Sequence, residues 1–181
     1  MYELIALSLL MRGPVHGYII AGVINDVIGP YARASNGRIY PLLTKLTDTG
    51  FVSMRHESTS AGGRVARTFE LTDAGRQRFH QLMLDTSSNP REYRDLFAFK
   101  VTAFDLITSN DRIRLLTHYL EFARAHVRHL TEQGDELQAN GPQYRHQPSE
   151  TIRMKSVFTH LVDTWKTEQH WAEAMLHQEH H

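Results

Sequence analysis

The chain has 181 residues, with 20 Lys and Arg balanced by 20 Asp and Glu, 12 His, no Cys and 41% hydrophobic residues. This length can bury one large core or two small ones, and charged residues at 22% are too few for a disordered chain. The lack of Cys excludes a disulfide scaffold, a thiolate metal site, a cysteine nucleophile and a thiol redox switch.

Met1 leads into an amphipathic stretch rather than a signal peptide. No apolar run approaches the roughly 20 residues that span a bilayer, so a soluble, cytoplasmic protein without a membrane partner is expected. The zero net charge hides a division. Residues 1–84 carry nine basic and six acidic side chains, and residues 85–181 carry eleven and fourteen. A basic half beside an acidic half suggests two tasks, one of them facing an anionic partner.

Residues 3–11 read as a helix with Leu4, Leu7, Leu10 and Met11 on one stripe, stopped by Gly13-Pro14. A second helix is expected from about His16 to Ile28, with Ile20, Val23, Ile24 and Val27 inward, ended by Gly29-Pro30. A third begins near Ser35 or Asn36, carries Ile39, Leu42, Leu43 and Leu46, and stops at Gly50. The period then changes to alternation over 51–57 and 67–71, around a polar turn at 58–64, which predicts a β-hairpin. Thr72-Asp73-Ala-Gly opens a fourth helix bearing Arg76, Phe79, Leu82 and Met83.

Helix, helix, helix, hairpin, helix is the order of a winged helix-turn-helix, whose third helix enters the major groove while the wing lies along the backbone. Asn36 and Arg38 stand where recognition helices reach base edges, Asn suiting adenine and Arg guanine. Tyr40, Thr44 and Lys45 can reach phosphates or bases. Arg64 and Arg67 charge the wing, and Ser35 with the helix N-terminus offers donors to phosphate. The expected partner is double-stranded DNA. The alternative is a winged-helix adaptor that binds proteins, with the same basic residues merely solvated.

Four ordered motifs carry a family resemblance: Gly13-Pro-Val-His-Gly-Tyr18, Gly37-Arg-Ile-Tyr-Pro-Leu-Leu-Thr-Lys-Leu46, Gly50-Phe-Val, and Gly63-Arg64 with Arg67-Thr-Phe-Glu-Leu-Thr-Asp-Ala-Gly75. Over about the first 84 residues the chain resembles the PadR family of bacterial transcriptional regulators. The resemblance implies a homodimeric DNA-binding regulator, usually a repressor, often released by a small molecule.

Asp85-Thr-Ser-Ser-Asn-Pro90 is a polar break. It predicts a DNA-binding domain over 1–84, a linker over 85–95 and a helical dimerisation domain over 96–181. Leu96, Phe97, Phe99, Val101, Phe104 and Leu106 read as a short aromatic helix. A long helix follows, capped by Ser109 or Asn110, with a heptad seam of Ile113, Leu116, Leu120, Ala123, Val127, Leu130, Gly134 and Leu137. After a loop reaching Pro148-Ser149-Glu150, a last helix shows Ile152, Phe158, Leu161, Val162, Trp165, Ala172 and Leu176.

The two long helices predict an antiparallel hairpin, so the fold class is mostly α with a small β-hairpin wing. A hairpin with two apolar faces and one internal partner points to a homodimer, assigned to Ile113, Leu116, Leu120, Val127, Leu130, Phe158, Leu161 and Trp165. Phe97, Phe104, Tyr119 and Trp165 are candidates to line a pocket for an aromatic effector. The late histidines, including His170 and His177 around Glu173 and the pair His126 and His129, lack the spacing of a metal site. No phosphate loop or nucleophile elbow is present, so neither catalysis, a cofactor nor a metal is expected.

Overall fold

The computed structural model describes residues 1–28, 36–59, 65–87, 89–140 and 147–180. They form two compact units, residues 1–108 and 109–181.

The first unit is built on α1 (Tyr2–Met11), β1 (Val15–His16), α2 (Gly17–Ile28), α3 (Asn36–Asp48), β2 (Val52–Thr59), β3 (Val65–Leu71), α4 (Asp73–Leu84) and α5 (Pro90–Val101), with a short 3-10 turn at Phe104–Leu106. Five consecutive residues of α1, Leu4 to Ser8, are buried. A helix enclosed on all sides has no polar stripe to show, and α1 is the centre of this core. Ile20 and Ile24 of α2, Ile39, Leu43 and Leu46 of α3, and Phe79 and Met83 of α4 complete it.

The sheet has three antiparallel strands in the order β1-β3-β2. The hairpin expected from alternation is thus joined by a two-residue strand that includes His16, expected as the start of the second helix. Val15 pairs with Phe69 and His16 with Thr68. Two residues are too few to display an alternation, and only their partners in β3 make them a strand. Pairing of β2 with β3 is irregular between Met54 and His56, a bulge at Arg55. Val27, expected inward, is exposed.

The boundary falls later than the polar break suggests. Residues 90–95, read as linker, are the first half of α5, capped by the Asn89 side chain accepting from Arg91 N–H. Tyr93 is buried, and fully buried Lys100 donates from Nζ to the Asp85 carbonyl at the C-cap of α4. Ser87 donates to the Asp85 carboxylate from both its N–H (2.8 Å) and Oγ (2.6 Å), holding that carboxyl below the usual range. Farther on, Arg12 at the end of α1 grips Asp105 with two bonds of 2.6 and 2.8 Å. These contacts bring everything up to residue 108 into the N-terminal unit. The expected aromatic helix accordingly ends at Val101, and Phe104 belongs to the separate turn.

The second unit is α6 (Ser109–Asn140) and α7 (Pro148–Glu179). They run antiparallel: Arg112 Nε meets Glu179 Oε2 at 2.7 Å at one end, and Lys155 Nζ meets Gln138 Oε1 at 2.7 Å near the other. Ser109 and Asn110 lie inside α6 rather than before it. Pro148, expected in a loop, begins α7 behind a Gln147–Glu150 capping box.

Candidate nucleic-acid interface

Ile39, Leu43 and Leu46 hold α3 in the core, which leaves Tyr40, Pro41, Thr44, Lys45 and Asp48 facing outward. A helix divided in this way is fixed by its apolar stripe and free to present its polar ridge. The ridge borders two adjoining grooves. One, of about 560 Å³, is lined by Tyr40, Pro41, Thr44, Lys45, Asp48 and Thr49. The other, of about 220 Å³, lies between α3 and the sheet, where Met54, Arg67 and Phe69 join Tyr40 and Thr44.

Of the residues singled out for DNA, the structure therefore brings Tyr40, Thr44, Lys45 and Arg67 to connected grooves. Asn36 and Arg38 occupy the first turn of α3, but their side chains are outside the described residues, as are Ser35 and Arg64 altogether. Met54 and Asp48 were not anticipated. Alternation puts Met54 on the inner face opposite Phe69, its register partner, yet it lies at the rim and is 49% exposed.

Position, not count, decides which basic groups can serve an anion. Arg78 is tied to Glu3 (Nε to Oε1, 2.7 Å) across α4 and α1, and Arg12 to Asp105; both partners raise the guanidinium pKa. Arg55 stands 3.6 Å from Glu70 across the strands. Among the described residues, Arg78, Arg12 and Arg55 face carboxylates of their own unit, and Lys45 and Arg67 line the grooves.

The aromatic residues proposed for an effector fall in different units. Phe97 meets Phe104 edge to face at 6.3 Å and Tyr93 at 6.1 Å in the first. In the second, Tyr119 contacts Phe122 and Trp171, and Trp165 is stacked on His126 at 4.1 Å. Tyr119 Oη also donates to Glu168 (2.7 Å). Among the described residues, no three His, Asp or Glu side chains converge as metal ligands, and no helix is long and apolar enough to cross a membrane.

Of the seam assigned to a subunit interface, Leu116 and Leu120 are buried within the single chain, a correction to the reading of both as partner-facing. Ile113, Val127, Leu130, Phe158 and Trp165 are half-buried, and Leu161 is exposed. A heptad stripe identifies a packed face but not its partner, and α7 already supplies one.

Three helices, a winged sheet and a polar ridge on the third helix define a winged helix-turn-helix protein. Residues 6–81 match the transcriptional regulator PadR-like family. Along most of its length the chain is similar to the negative transcriptional regulator PadR of Bacillus subtilis strain 168. The two are 26% identical over 171 residues, 94% of this chain and 92% of that protein. The crystal structure of Bacillus subtilis PadR in complex with operator DNA is 25% identical with a TM-score of 0.44, covering 98% of each chain. The Vibrio cholerae virulence activator AphA is 21% identical with a TM-score of 0.40, covering 98% of this chain and 97% of that one.

Proposed function

We propose that the chain is a homodimeric, sequence-specific DNA-binding regulator that represses transcription and is released by an aromatic small molecule. The observation that carries the reading is the outward ridge of α3, Tyr40, Thr44 and Lys45, adjoining a groove that also holds Arg67 of the wing. A helix of this kind fits the major groove, and cations at its flank neutralise phosphates. On this reading Asn36 and Arg38 read bases, and Ser35 and Arg64 meet phosphate. The Bacillus subtilis relative is a negative regulator, which supports repression over activation.

Dimerisation through α6 and α7 is supported by apolar side chains left outward on α7, among them Ile152, Val157 and Leu161. Two copies would read two half-sites, which multiplies the specificity of a small reading head. The effector is assigned to the aromatic clusters around Phe97–Phe104 and Tyr119–Trp165.

A salt titration of duplex binding tests the reading. Contact with several phosphates makes affinity fall steeply and linearly in log salt. No duplex binding at low salt would sink it in favour of a protein adaptor.

A further inference from the structure

Tyr18 is the most exposed aromatic side chain of the N-terminal unit among the described residues, at 61%, yet it is not loose. Its ring stacks on His16, with centroids 5.5 Å apart and planes 14° from parallel. His16 Nδ1 is in turn 2.9 Å from Thr68 Oγ1, and the same two residues are register partners of β1 and β3. Thr68 adjoins Arg67 in the wing strand. The next residue, Gly17, closes the frame: a Cβ there would lie 3.0 Å from Phe69 Cε2 and 3.4 Å from Leu43 Cδ1. The start of α2 therefore sits against both α3 and the wing, and Tyr18 is presented in a fixed relation to each.

A large aromatic that is held by a ring stack and is still 61% exposed is organised for an external partner rather than for the core. In a helix-turn-helix the first helix, here α2, crosses the nucleic-acid backbone. Tyrosine is among the side chains that meet phosphate there, and a neutral O–H donated to a phosphate oxygen needs no counter-charge.

We propose that Tyr18 is a further DNA-contacting residue, its hydroxyl donating to a phosphate beside the groove entered by α3, with His16 as its positioning residue. The inference rests on the DNA-binding reading above.

The test uses the full chain and a duplex selected by the wild type from a random pool, with a scrambled duplex beside it, read by fluorescence anisotropy across a salt series. Tyr18→Phe removes only the hydroxyl. It is expected to weaken both duplexes alike by roughly tenfold, as for a hydrogen bond to a charged group, while leaving the salt slope unchanged because a phenol displaces no counterion. His16→Ala should weaken binding in the same way, His16→Phe should restore most of it by keeping the stack, and His16→Ala with Tyr18→Phe should be no worse than Tyr18→Phe alone.

Wild-type affinity in Tyr18→Phe overturns the proposal and leaves the DNA reading standing. Loss on the selected duplex only overturns the phosphate assignment in favour of a base contact. Failure of the wild type to bind any duplex overturns both.

Discussion

Gly75 lies directly beneath the carbonyl of Phe51, so that a Cβ at position 75 would stand 2.0 Å from that oxygen and 2.7 Å from Leu71 Cδ1. Thr72, three residues earlier, donates from its N–H to the same carbonyl (3.1 Å) and from Oγ1 to Gly50 (2.7 Å) and Phe51 (3.0 Å) oxygens. Its Oγ1 also caps α4 by accepting from Gly75 N–H at 3.1 Å. The Thr-Asp-Ala-Gly motif is therefore the joint that seats α4 on the turn between α3 and the wing.

Gly75→Ala cannot be accommodated by a side-chain shift, because the obstacle is backbone. It should destabilise the protein by about 2–4 kcal/mol, seen as a lower urea midpoint with little change in slope. A near-neutral effect would mean that α4 is free to move off Phe51.

Buried Lys100 and Tyr93 give stability a particular alkaline profile. Burial pushes the Lys100 ammonium down to about 8, against an ordinary 10.5. Burial, with the Asp85 charge, pushes the Tyr93 phenol up to about 12. Between about pH 8 and 10.5 the unfolded chain holds a proton on Lys100 that the folded chain has released, so stability rises with pH in that window. From pH 10 to 12 the folded chain keeps the Tyr93 proton that the unfolded chain loses, so stability then falls. Thermal midpoints should peak near pH 10, and Lys100→Met should erase the rise while leaving the fall.

The Arg12–Asp105 pair joins residues 93 positions apart, but both side chains are about half exposed. Exposed pairs are worth roughly 0.2–1 kcal/mol, even when bidentate geometry favours the upper end. Arg12→Ala and Asp105→Ala should each cost no more than about 1 kcal/mol, less at 1 M salt, with the double variant no worse than the single ones. Urea unfolding at two salt concentrations measures this.

Leu116 and Val157 should respond in opposite ways. Leu116→Ala opens a cavity in a side chain that is fully buried, costing about 2–5 kcal/mol irrespective of oligomeric state. Val157→Glu, with Leu161→Glu beside it, alters surface that is 56% and 37% exposed. On the dimer reading this pair should leave the helical content intact and convert the protein to monomers in light scattering.

Lys45 lines the larger groove of α3 without reaching the helix start. If it neutralises a phosphate, Lys45→Ala should weaken all duplexes alike and reduce the salt slope by about one, whereas Arg38→Ala should cost about 1–3 kcal/mol and relax preference at one base pair.

Much of this was legible in the residues because it is written locally. Ile39, Leu43 and Leu46 show the inner face of α3 by their spacing, and Gly13-Pro14 marks the end of α1. The candidate interface followed, since Tyr40, Thr44 and Lys45 are what the apolar stripe leaves over. Tyr18 was not legible as an exposed residue, because its neighbours Val15 and Ile20 suggest burial and only the stack on His16 reveals its setting.

By itself the sequence determined the order of the helices and the hairpin, the winged-helix architecture and the antiparallel pairing of two long helices, all set by hydrophobic period and by breakers within a few residues. Tertiary structure decided where the first unit ends, that Val15 and His16 make a third strand, that Leu116 and Leu120 are already covered, and which arginines are committed to carboxylates. His16 and Thr68 are 52 positions apart and Arg12 and Asp105 are 93. Periodicity reports which face of a segment is apolar, and is silent on which distant residue will come to lie against it.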